Sequence, residues 1–171
     1  WNAGVLGTST ASQLLDTVFY YVGKLFGLRL DEQEHLTLAQ ITRDRDSEGW
    51  FVRYRGGRSK TTGGGLMRRQ VQFKDVKHRC PDVDPSFPSA REQEKHGPST
   101  EVVTSVAELI TIYRAIVISN VGNDPDGRFY RRPLPNSGTA IRFSRQHVGR
   151  NTLAKIIPRI TSGAGLHGKF T

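Results

Sequence analysis

With Cys80 as its only cysteine, the 171-residue chain cannot form an internal disulfide, which suits a cytosolic or nuclear setting. No apolar run approaches the roughly 18 residues a membrane span needs, so no membrane partner is expected. The opening WNAGVLGTSTASQ has no initiator Met and lacks the charged and apolar regions of a signal peptide. It reads as the start of a piece excised from a longer chain. His78 and Cys80 form one pair with no second pair at zinc-ligand spacing, so neither a metal nor a cofactor is expected. GGRSKTTGGG, residues 56–65, does not follow the P-loop order of Gly, four residues, then Gly-Lys-Ser/Thr. No serine lies in a nucleophile-elbow pattern, and none of Tyr20, Tyr21, Tyr54, Tyr113 and Tyr130 is marked as a nucleophile by its neighbours.

The last absence concerns charge of one sign: beyond Asp126 there is no acidic residue. The net charge of +9 is therefore unevenly spread. Residues 1–46 balance to −2, residues 47–80 to +7, residues 81–126 to −5 and residues 127–171 to +9. If folding unites the two basic segments, they form a strongly positive face, and the usual partner for one is a phosphate backbone. A basic surface kept for solubility or for acidic proteins is the competing explanation. An RNA-binding reading has only net charge behind it, since no RNA-recognition motif is present.

The hydrophobic fraction of 36% and eight Phe describe a folded domain rather than a disordered chain. Thr8-Ser9-Thr10 offers N-caps for a helix whose apolar residues Leu14, Leu15, Val18, Phe19, Val22, Leu25 and Phe26 keep i, i+3/i+4 spacing, with Gly27 as its stop. LRLDEQEHLTLAQI follows as a short helix or turn. Strands are predicted in ITRDRD, WFVRY and LMRRQVQFKDV, joined through the turn Asp46-Ser47-Glu48-Gly49 and the glycine-rich loop. Residues 80–100, rich in Pro, Ser and charge, read as a flexible insertion. SVAELITIYRAIVIS fits a second long helix, DPDGRFYRRPLPNSG a loop, and NTLAKIIPRIT a last helix that Pro158 should kink or end. The fold class expected is α+β, mainly helical around a small three-stranded antiparallel sheet.

Arg29 poses the sharpest question. It follows Phe26-Gly27-Leu28 and precedes a carboxylate run containing Glu32 and Glu34. A guanidinium fork suits bidentate phosphate binding, and either glutamate would fix its rotamer. Equally, Arg29 would cap the C-terminus of the preceding helix, where the dipole favours a cation. Lys60, in a glycine-rich hairpin between strands carrying Arg53, Arg55, Arg58, Arg68 and Arg69, is a mobile ammonium able to follow a phosphate or a leaving oxygen.

In order, these segments resemble the catalytic domain of tyrosine recombinases, above all the Crypton-type transposon recombinases. Their domesticated vertebrate descendants, known as a domain of unknown function, occur with MYM zinc fingers, glutamine-rich regions or BTB-type domains. The opening box of that family is an aromatic or Thr, Gly-Leu-Arg, two residues, then Glu, and here it is Phe26, Gly27, Leu28, Arg29 and Glu32 before LTLAQI. The Crypton likeness continues in LLDTVFYYVGKLFGLR, Glu34-His35, SKTTGGG, FYRRP and QHVGRNTLAKII, covering nearly all of residues 12–171 apart from the insertion. The resemblance implies a fold of that kind, chemistry without metal, and Arg29 as the first phosphate-binding arginine. It implies Lys60 as the lysine that protonates the leaving 5′-oxygen, and Glu32 as the support for Arg29.

The same resemblance places a His-x-x-Arg box just past GLHGKFT and the nucleophilic tyrosine some tens of residues further on. Residues 1–171 are thus expected to be a single, partial catalytic domain that does not cleave DNA by itself. The expected partner is double-stranded DNA in the nucleus, gripped by Arg53, Arg55, Arg58, Arg68, Arg69, Arg142, Arg145, Arg150 and Lys155. The alternative is a domesticated protein-interaction or transcription-regulatory module without recombinase activity, acting with regulatory proteins or as a homo-oligomer through its parent chain.

Overall fold

Helix α1 forms where the apolar periodicity put it, at Ala11–Phe26. The Thr10 hydroxyl accepts the Gln13 amide at 3.1 Å to cap its start. Gly27 ends it at φ +57°, a left-handed conformation that only glycine adopts without strain. The computed structural model describes residues 6–56, 74–79, 106–124, 126–135 and 140–166. After α1 come α2 (Leu30–Glu34), a 3-10 turn (Leu38–Gln40), β1 (Ile41–Asp46), β2 (Gly49–Arg55) and β3 (Asp75–Arg79). Then follow α3 (Val106–Val121), β4 (Arg131–Pro133), β5 (Phe143–His147), α4 (Arg150–Ala154) and α5 (Ile156–Gly163). The class is α+β, with a three-stranded antiparallel sheet in the order β1-β2-β3.

Among the described residues the third strand begins at Asp75. LMRRQVQFKDV contributes only its last two residues to β3, which runs Asp75–Arg79; residues 57–73 lie outside the described residues. Val76 pairs with Tyr54 and His78 with Val52. His78 fills an inward position because its ring donates to the Leu25 carbonyl and meets the Phe26 ring edge-on. A polar residue that finds a carbonyl inside breaks the apolar alternation by which strands are read. The segment expected as loop around FYRRP contains β4, which pairs with β5 in a second, two-stranded sheet. The last helix divides at Lys155, and Pro158 sits in the first turn of α5, where a missing N–H costs nothing.

The core is built on α1, which packs against α3 and α5, while α3 packs on β5. A chain of ring contacts links these layers: Phe19 to Tyr130, Tyr130 to Phe129, Phe129 to Tyr113, and Tyr113 to Phe143, all with centroids 5.0–5.5 Å apart. Buried side chains of this size each contribute about 1.5–3 kcal/mol. Their polar ends are satisfied in place. Tyr113 donates its hydroxyl to the Phe129 carbonyl at 3.2 Å and accepts the Arg131 amide at 3.0 Å. Tyr130 donates to Gln33 Oε1 at 2.8 Å, which ties the core to α2.

Removing the Tyr113 hydroxyl with Tyr113→Phe strands the Arg131 amide and should cost about 1–3 kcal/mol in urea unfolding. Burial pushes the hydroxyls of Tyr113 and Tyr130 above the ordinary value of 10.0. The unfolded chain therefore ionises first, so stability is intact below about pH 10 and falls as pH rises beyond it. A melting temperature that stays level above about pH 10 in the wild-type chain would contradict this, and each Tyr→Phe change should flatten the alkaline decline.

Candidate nucleic-acid interface

Beyond Gly27 the chain turns through buried Leu28, and Arg29 takes up extended backbone as the N-cap of α2. A guanidinium has no acceptor with which to cap a helix. The cap comes instead from Glu32, whose carboxylate accepts the Arg29 amide at 2.8 Å. The support expected from Glu32 is thus given to the backbone of Arg29 rather than to its side chain. Helix capping by the Arg29 side chain is not what forms either. Two residues at β3 satisfy the end of α1: Lys74, just before the strand, donates through Nζ to the Gly27 carbonyl at 2.7 Å, and His78 Nε2 lies 2.5 Å from the Leu25 carbonyl. A carbonyl only accepts, so His78 carries its proton on Nε2. His78 is thus a structural fastener within a strand.

Arg29 is exposed, and no partner for its guanidinium exists among the described residues. The acidic side chains beside it are engaged elsewhere. Arg150, at the start of α4, bonds the carboxylate of Asp31 and that of Glu34, the latter at 2.9 Å. Hydrogen bonding to Asp31, then to Glu34, raises the Arg150 pKa further above its ordinary value. Arg128 completes this end of α2 by donating to the Glu34 carbonyl at 2.9 Å. The five residues of α2 therefore join two parts of the fold. The first turn meets the sheet, where Glu32 lies close enough to Tyr54 to help burial push its hydroxyl up. The far end holds the basic C-terminal segment through Arg150.

The other predicted cations divide into paired and unpaired. Arg53 grips Asp75 with two bonds, Nε–Oδ1 being 2.7 Å, and this hydrogen bonding holds the Asp75 carboxyl below its ordinary range. Arg55, Arg142, Arg145 and Lys155 are exposed, with no carboxylate partner among the described residues. Lys60, Arg58, Arg68 and Arg69 lie outside the described residues, as does the insertion at 80–100. The chain on either side of the Lys60 segment is described: the Gly56 amide donates to the Lys74 carbonyl at 2.6 Å, beside Gly27. Lys74, His78 and Arg128 were not legible as site-building residues, because their partners lie 47, 53 and 94 positions away in sequence.

Tyr54, Tyr113 and Tyr130 are core residues whose hydroxyls burial pushes up, the reverse of what an attacking phenolate requires. Among the described residues no group of three His, Cys, Asp or Glu side chains is placed to hold a metal, and no helix is long and apolar enough to cross a membrane.

The chain matches the family model described as a domain of unknown function (DUF3504) over residues 1–162. No curated protein and no solved structure matches it.

The geometry separates two neighbours that sequence alone couples. Glu32→Ala removes a helix cap and should lower stability by about 0.5–1 kcal/mol in denaturant unfolding. Arg29→Ala should leave stability within about 0.5 kcal/mol of wild type, as for a surface change without partners. A large loss on Arg29→Ala would make that arginine a structural residue.

Proposed function

The chain belongs to the DUF3504 family, and on that footing we propose that it is a duplex-DNA-binding domain descended from a Crypton-type tyrosine recombinase, with Arg29 contacting a phosphate. The observation that carries this is the state of Arg29. Three carboxylates surround it in sequence, yet Asp31 and Glu34 bond Arg150 and Glu32 bonds a backbone amide. An exposed guanidinium with its donors free is poised for an anionic ligand, and its bidentate fork matches a phosphodiester. Arg55, Arg142, Arg145 and Lys155 supply further exposed positive charge. The assignment of Lys60 to the leaving oxygen rests on the resemblance alone. A nuclear location follows from a DNA ligand.

Binding of this kind is electrostatic and independent of sequence, so the logarithm of affinity should fall linearly with the logarithm of salt concentration. Arg29→Ala should weaken binding uniformly across duplex sequences and reduce the salt slope by about 0.9, one contact's worth. Asp31→Asn with Glu34→Gln releases Arg150 and should tighten binding at low salt. Fluorescence anisotropy with a labelled duplex reads all three. Weak affinity that salt leaves unchanged would favour the protein-interaction or regulatory module instead.

A further inference from the structure

The alternation of ITRDRD does more than build a strand. It sends Arg43 and Arg45 to one face of the sheet and Thr42, Asp44 and Asp46 to the other. Antiparallel register places Arg45 opposite Trp50 and Arg43 diagonal to it, beside Val52. On that face Ile41, Val52 and Tyr54 are buried, but the sheet runs on past the core, and Trp50 is 36% exposed. Both guanidiniums lie over the indole, 4.5 Å and 5.7 Å from its centroid.

The nearby acids are held on the opposite side. Arg79 bonds Asp46 and Glu48, and Asp44 accepts the Thr42 hydroxyl at 3.0 Å. Arg43 and Arg45 consequently have no carboxylate partner among the described residues. Stacking on the indole uses the flat face of a guanidinium, restrains its rotamers and leaves its edge N–H groups free. Two restrained cations with free edges form an anion-binding surface.

The geometry points to the Arg43–Arg45–Trp50 patch as a second phosphate-contacting site for duplex DNA, separate from Arg29. This rests on the duplex-binding reading above and adds a second place of contact to it. Six residue steps along the chain separate Trp50 from Gly56, where the sheet meets Gly27. At about 3.3 Å per residue they span about 20 Å, beyond the reach of a single phosphate. The two sites take different phosphates, and their losses are additive.

The test is an anisotropy titration of a labelled duplex over a range of salt concentrations, with circular dichroism confirming the fold of each variant. Arg43→Gln with Arg45→Gln should reduce the salt slope by about 1.8, and adding Arg29→Ala should remove about 0.9 more. In a Trp1→Phe background, Trp50 emission should change when duplex is added at low salt and recover at high salt. A double variant that keeps the wild-type slope, while wild type binds, overturns the patch and leaves Arg29 standing. Loss in the double variant with none in Arg29→Ala upholds the patch and removes Arg29 instead. A wild-type chain that binds no duplex overturns both. A double variant that loses polyglutamate binding but retains duplex binding assigns the patch to an acidic protein partner and overturns the proposal.

Discussion

Lys74 and His78 reach from the sheet to the last carbonyls of α1, and the placement of everything around Arg29 follows from that fastening. The orphan carbonyls at a helix end need donors, and here they come from β3 and the residue just before it. The helix and the sheet are thereby locked at a turn whose left-handed glycine redirects the chain into α2. Because Gly56 and Lys74 are hydrogen-bonded at the same spot, the residues flanking the Lys60 segment lie beside the Gly27 turn that leads to Arg29. A donor from Lys74 and one from His78 satisfy the helix end, which frees Arg29 from that duty.

The second organising feature is how charge is sorted. The ion pairs among the described residues join segments distant in sequence: Arg159 with Asp16, Arg150 with Asp31 and Glu34, Arg53 with Asp75, and Arg79 with Asp46 and Glu48. Where both partners are exposed, such pairs contribute little to stability because solvent screens them. Their larger effect is electrostatic. By occupying the carboxylates they leave Arg29, Arg43, Arg45, Arg55, Arg142, Arg145 and Lys155 at the surface without an ion-pair partner among the described residues. Among the described residues, positive charge is thus presented largely as exposed, unpaired cations. That pattern suits a polyanion, which is the basis of the proposed function.

By itself the sequence determined the parts that depend on local periodicity and local chemistry. The limits of α1 followed from its apolar spacing, a threonine cap and a glycine stop, and β1 and β2 from their turn and composition. The break before Pro158 followed from a missing N–H. The α+β class followed from those elements, and Arg29 stood out as a residue of interest by its position after the helix. Tertiary structure decided what each charge does. Whether Arg29 capped a helix, paired with a glutamate or stayed free depended on Lys74, His78 and Arg150, none of which lies near it in the chain. The extension of β3 through His78 to Arg79, the β4–β5 pair and the cation-covered face around Trp50 also emerged only there. The physical reason is common to all of them: a charged or polar side chain finds its partner by proximity in space, and only folding creates that proximity.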